Sequence, residues 1–243
     1  MTLQSQGSRP LGLRERNKRD KLKRIKDAAR MLFIAKGFDD TTTREIAVRA
    51  GVGLGTVFVY AENKRDLLFL IINDQLDEVT QAAQAAVDPT ASLIDNLMKV
   101  AELHYRFFGE QPALSRLALR EMIFYESGAQ AGRFQNTRQH LIELLGQAVE
   151  LARSQNYIAT KENPRFVGWT LFCIFQVELR RWLSSDDLDL DAGLQTLERA
   201  LALFINGLKP TPKALKRRAD LAENTNGSEQ PKSLSRRRTS GHS

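Results

Sequence analysis

Residues 42–67 hold two short amphipathic patterns pinched around glycines, an arrangement few folds accept. Thr42 and Glu45 have the spacing of a capping box, in which the hydroxyl accepts from the first helical turn while the carboxylate reaches back. Ile46 and Ala47 then face inward, and Ala50 is small enough for a second helix to approach closely. Gly51 can take a left-handed backbone without a Cβ penalty, which ends the first helix, and Val52 is expected as a buried plug. Gly55-Thr56-Val57-Phe58 opens the second helix. Asn63, with Asp66 three residues on, caps a long third one. Two short helices at a fixed angle can present the second to the major groove of DNA. Lys64 lies in the first turn of the long helix, where its charge opposes the helix dipole. That placement is consistent with a cation kept for a phosphate.

The rest of the chain reads as helix too. Alternating strand runs are absent, and Gly or Pro punctuates apolar patterns of helical length. Residues 1–12 read as a flexible lead, and the first helix as about 13–36, with Ile25, Ala28, Ala29, Leu32 and Phe33 on one face and Gly37 as its stop. Short helices are expected at about 43–50 and 54–60, then a long one at 64–86. Asp88-Pro89 breaks the pattern, because proline disfavours helix in the residue before it. Further helices are expected at about 90–108, 112–126, 130–154, 164–183 and 191–207. The last two are the most apolar, and fit either half of a four-helix interface or the interior of a monomer. The fold class expected is all-α. Its parts are a flexible basic arm (1–18), a three-helix helix-turn-helix domain (19–68), a larger helical domain (69–208) and a disordered basic tail (209–243).

Charge is segregated along these parts. Residues 1–70 carry 15 Lys/Arg against 8 Asp/Glu, residues 71–208 carry 12 against 18, and residues 209–243 carry 9 against 3. A basic head suits a polyanion, since neutralised phosphates release counterions and drive association. No apolar stretch approaches a membrane span, and the N-terminus has no apolar h-region. The single cysteine, Cys173, cannot form an internal disulfide, which fits a reducing cytoplasm, and its apolar neighbours suggest a buried thiol. His104, His140 and His242 are not paired at metal-ligand spacing. No phosphate loop, dinucleotide fingerprint or nucleophile elbow occurs, so neither an enzyme, a metal site nor a cofactor is expected.

The ordered pattern Arg24-Ile25, Ala28-Ala29, Leu32-Phe33, Lys36-Gly37-Phe38, then Thr41-Thr42-Thr43, Ile46-Ala47, Ala50-Gly51-Val52, then Gly55-Thr56-Val57-Phe58, Tyr60, Lys64 and Leu67 closely resembles the DNA-binding domain of TetR-family transcriptional regulators. The match covers about residues 20–68. The resemblance implies a bacterial homodimer, joined by the helices at about 164–183 and 191–207. It would insert one recognition helix per subunit into successive major grooves of a palindromic operator. It also implies a repressor released when a small molecule binds the second domain and swings the long helix. By position, Thr42, Thr43, Tyr60 and Lys64 would touch phosphates. Arg44 and the recognition-helix residues Leu54, Gly55, Thr56 and Val59 would face base edges, with Arg44 able to fork to a guanine.

The family often has tyrosine where this chain has Phe58, and an aromatic where it has Ala61. Phe58 is therefore expected to pack or to meet a thymine methyl, and readout to lean on Arg44, apolar contacts and DNA shape. The arm, with Arg9, Arg14, Arg16 and Lys18, is expected beside the operator in a minor groove or along phosphates. An effector pocket is expected among the middle helices, where Phe107, Phe108, Phe124, Trp169, Phe172 and Phe175 could line it, with His104, Tyr125 or Arg120 as a polar anchor. Glu178, Arg180 and Arg181 are expected to form ion pairs across a dimer. Two other readings fit parts of the pattern: an architectural DNA-binding protein without sequence choice, and a small-molecule carrier with a vestigial helix-turn-helix.

Overall fold

The computed structural model describes residues 12–207; the arm residues 1–11 and the tail 208–243, with Arg236–Arg238 and His242, lie outside the described residues. Among the described residues there are nine helices and no strand: α1 (Leu13–Lys36), α2 (Thr43–Ala50), α3 (Leu54–Phe58), α4 (Lys64–Ala86), α5 (Leu93–Glu110), α6 (Pro112–Glu121), α7 (Ala131–Ser154), α8 (Pro164–Leu183) and α9 (Leu190–Asn206). The chain is all-α, an N-terminal helix-turn-helix followed by a larger helical region. Residues up to Ala202 form one compact unit. A second begins at Leu203, of which the last turn of α9 and Gly207 are described.

The first three helices close around a small core of their own. Ile25, Ala28, Ala29 and Phe33 share one face of α1 and are buried with Ile46, Ala47 and Ala50 of α2 and Val57 of α3. Each large side chain buried in this way contributes about 1.5–3 kcal/mol. Helix α1 starts at Leu13, so residues 13–18 of the expected flexible arm are its first turns. Arg, Glu and Lys are good helix formers, which lets the basic run continue the helix.

Helix α2 is capped at both ends as its residues dictate. The Glu45 N–H donates to the Thr42 hydroxyl at 3.2 Å, and the Thr42 N–H donates to the Glu45 carboxylate at 2.9 Å. Gly51 is left-handed, φ 62°, and lets the Val52 N–H return to the Ala47 carbonyl at 3.1 Å. Val52 is half-buried rather than a plug. Helix α3 ends at Phe58, and Tyr60 and Ala61 turn back onto the Val57 carbonyl at 3.0 and 3.1 Å.

Helix α4 runs through the centre. Every residue from Asp66 to Asn73 is buried, so these two turns have no solvent face. Helices α5 and α7 pack on it, and α8 packs on α7. The α7–α8 crossing is backbone to backbone: a Cβ on Gly168 would stand 2.6 Å from the Gly146 nitrogen and 2.8 Å from the Ile142 carbonyl oxygen. Helix α6 stops at Glu121, five residues short of the expected end. The segment 122–130 then forms a loop, with Met122 and Tyr125 buried. Cys173 is exposed, not buried. Its neighbours Phe172 and Ile174 are apolar, but adjacent residues on a helix point to different sides.

Candidate nucleic-acid interface and effector cavity

The outward surface of the helix-turn-helix is built by the residues that the cap and turn leave free. Val57 anchors α3 inward with no exposed surface, while Phe58 is 48% and Val59 74% exposed. Gly55 is exposed, Leu54, Thr56 and Tyr60 are half-buried, Thr42 and Arg44 are exposed and Thr43 is half-buried. The candidate readers therefore lie on accessible turns of α2 and α3. Thr42 is also committed to its own helix. Its partner Glu45 is held down to a pKa of about 2 by a bond from Lys36 and by the Thr42 donors.

Contacts from α1 and α4 hold this surface. An Arg24 guanidinium N–H donates to the Gly51 carbonyl at 3.5 Å, and the Tyr60 hydroxyl donates to the Lys18 carbonyl at 3.4 Å. Lys64 is engaged within the protein: its ammonium donates to the Asp39 carbonyl at 2.9 Å and sits 4.6 Å above the Phe38 ring. A phosphate would meet a cation already positioned at the start of α4.

Behind the reading surface lies a junction that the residue pattern did not disclose. The Asp66 carboxylate, fully buried in the first turn of α4, accepts from the N–H of Glu62 and of Ala129, each at 2.9 Å, and from the Tyr125 hydroxyl. The Gln130 side chain donates to the Tyr60 carbonyl at 3.1 Å, and Asn73 donates to the Gln130 carbonyl at 3.2 Å. Thus the α6–α7 loop is bonded directly to the end of the helix-turn-helix. A second tie runs along the edge: Arg65 pairs with Glu121 at 2.9 Å, and Arg120 reaches Glu121 at 3.0 Å and Asp39 at 3.4 Å. Arg120 and Tyr125, expected as ligand anchors, belong to this junction instead. Burial and the Asp66 carboxylate raise the Tyr125 phenol, which keeps it a donor.

A cavity of about 430 Å³ opens beside the same loop, between α4, α5, α7 and α8. His104, Trp169 and Phe172 line it. Phe107 and Phe124 do not; their neighbours Phe108 and Ile123 do, and Phe124 is 80% exposed. Leu76, Thr80, Phe134 and Leu141 complete the apolar wall, and Arg138, Gln176 and Arg180 add polar atoms. His104 donates from Nδ1 to the Val100 carbonyl at 2.8 Å, which leaves Nε2 as an acceptor 3.4 Å from Thr80. Burial lowers its pKa to about 4, so the ring is neutral. Arg181 pairs with Glu178 of its own helix at 3.6 Å, whereas Arg180 turns into the cavity. Among the described residues, no His/Cys/Asp/Glu group could hold a metal ion, and no helix is long and apolar enough to cross a membrane.

Residues 25–71 match the family model for bacterial regulatory proteins of the tetR family. This segment is a tetR-family DNA-binding domain. The family is one of transcriptional regulators rather than enzymes. The HTH-type transcriptional regulator YhgD of Bacillus subtilis is 29% identical over 43% of this chain and 60% of that protein, so the chain spans less than two thirds of that relative. The Thermus thermophilus repressor FadR, solved with lauroyl-CoA, aligns at a TM-score of 0.58 and 21% identity over 79% of this chain and 97% of that one. FadR from Bacillus subtilis, solved with stearoyl-CoA, aligns at 0.62 and 18% identity over 76% and 98%. These likenesses establish that the helical region beyond α4 shares their fold.

Proposed function

We propose that this chain is a TetR-family, sequence-specific transcriptional repressor that leaves a palindromic operator when an effector with an apolar chain fills the cavity. The observation that carries this reading is the α6–α7 loop. Met122 and Ile123 line the cavity at one end of it, and Ala129 and Gln130 bond Asp66 and Tyr60 at the other. A ligand that displaced the loop would move the start of α4 and the end of α3 together. Differential affinity of that ligand for the two arrangements is what shifts the equilibrium. The acyl-CoA complexes of the two FadR structures support an acyl compound as the effector class, and a mostly apolar cavity of a few hundred Å³ suits a single chain.

In this reading Thr42, Thr43, Tyr60 and Lys64 hold phosphates, and Arg44 with Leu54, Gly55, Thr56, Phe58 and Val59 meets the bases. The functional regions in this reading are a basic N-terminal segment whose residues 13–18 open α1, a helix-turn-helix over 19–68, an effector and dimerisation region over 69–208, and a basic tail. The protein works in the cytoplasm on the chromosome. A homodimer forms through α8 and α9, supported by exposed apolar residues on each: Phe166 at 59% on α8, and Leu203 at 56% and Phe204 at 40% on α9.

Footprinting on DNA flanking the gene tests the reading. A discrete protected palindrome that disappears on adding an acyl-CoA is the expected outcome. Uniform coating that fades with salt would instead favour an architectural role.

A further inference from the structure

We propose that the cavity takes a ligand whose apolar chain carries an anionic group, and that Arg138 of α7 and Arg180 of α8 bind that anion. The proposal rests on the reading of the cavity as an effector site. Both guanidinium groups line one cavity whose other walls are largely apolar. Among the described residues neither makes an ion pair. Acids on the same and on a neighbouring helix are otherwise engaged: Glu178 of α8 pairs with Arg181, and Asp77 of α4 with Arg133 and Thr137 of α7. Arg180 donates from Nη1 to the Gln176 carbonyl of its own helix at 3.1 Å, while its Nε is buried with no partner. Arg138 lies over the Trp169 and Phe172 rings at 5.3 and 5.5 Å, which supports its cationic face and leaves its edge donors available. Burial and the neighbouring Arg138 charge hold the Arg180 guanidinium below its ordinary range.

Two like charges facing one partly buried space, with donors unused, are unfavourable until an anion enters. The guanidinium fork fits a carboxylate or a phosphate in a bidentate way, and in surroundings drier than water such bonds gain strength. His104 lines the same cavity but is neutral, so it offers an acceptor rather than a countercharge. The cavity thus combines an apolar wall with a cationic pair, a match for an amphipathic anion. The anion has two sources: the carboxylate of a free acid, or a phosphate of an acyl thioester carrier.

Calorimetric titration of the full chain with laurate, lauroyl-CoA and lauryl alcohol, each below its micelle concentration, tests this. At least one of the anionic compounds should bind about tenfold or more tightly than the alcohol. Arg138→Met and Arg180→Met, checked for native melting, should bring the anion down to the affinity of the alcohol, and Arg180→Lys should recover part of the preference. Laurate alone showing the preference identifies the carboxylate, and lauroyl-CoA alone identifies the phosphates. Equal binding of alcohol and anions by the wild-type chain overturns the proposal while leaving the effector reading intact. So does an anion preference that survives both methionine variants. Arginines that serve a second copy instead would show as an altered dimer dissociation constant without any anion preference, which also overturns it. Binding of none of the three compounds would remove the proposal together with the acyl-effector reading.

Discussion

His104 and Tyr125 illustrate how one buried polar atom sets both stability and chemistry. The His104 pKa falls from 6.5 to about 4 because the imidazolium cannot be hydrated where the ring sits. The unfolded chain therefore binds a proton that the folded one refuses between those values. Stability is lost as pH falls from about 6.5 towards 4 and changes little above that window. Going from pH 7 to pH 5 should cost roughly 2 kcal/mol through this residue, and urea unfolding of His104→Phe should show that slope largely removed. Tyr125→Phe deletes a hydroxyl that donates to a fully buried carboxylate. Hydrogen bonds to charged groups are worth about 1.5–3 kcal/mol, so a loss of unfolding free energy of that size is expected in urea titration. Phe107 and Phe124 stay out of the cavity for different reasons: the phase of α5 turns Phe108 inward instead of Phe107, whereas Phe124 lies past the end of α6 in the loop, where no helix phase applies.

Among the elements, α2 and α3 follow most directly from local chemistry. The cap, the inward apolar residues and the glycine turn each appear where the residue types demand them. Thr42→Ala should lower stability by about 1 kcal/mol in thermal unfolding, and Thr42→Ser should keep most of it. In DNA titrations the same elements separate by salt. Arg44→Ala should weaken operator binding and relax sequence choice with little change in salt slope. Lys64→Ala should weaken binding to all sequences and reduce the slope by about 1. A Lys64 variant with an unchanged slope would mean that the ammonium stays on Asp39 and Phe38 in the complex. Helix α6 behaves differently. Its pattern continues through 122–126, yet the chain leaves the helix at Glu121 because Tyr125 and Ala129 bond the distant Asp66.

For the molecule as a unit, the α6–α7 loop makes the cavity and the reading surface parts of one mechanical assembly. Gln130→Ala removes the bond to the Tyr60 carbonyl. The expected result is unchanged effector affinity with a smaller loss of operator affinity on effector binding, read by titrating DNA at zero and saturating effector. Equal release by wild type and variant would show that the bond transmits nothing. Association can be examined on its own. Phe166→Glu places a charge on the exposed apolar surface of α8, away from the cavity, and should shift the sedimentation equilibrium from dimer to monomer while leaving the monomer's melting little changed.

The all-helical architecture and the boundaries of α2, α4 and α8 were legible from residue order, because helix periodicity, caps and turn glycines act within a few residues of one another. The basic segment before the turn was legible as charge, although its helical start at Leu13 was not. The exposure of Cys173, the turn of Arg180 away from Arg181, and the choice of Phe108 over Phe107 depended on which helix packs where. So did the Asp66 junction, whose loop partners Tyr125 and Ala129 stand 59 and 63 positions away along the chain. Contacts of that range have no local signature: a buried aspartate near a cap looks like any capping residue until the loop that satisfies it is folded against it.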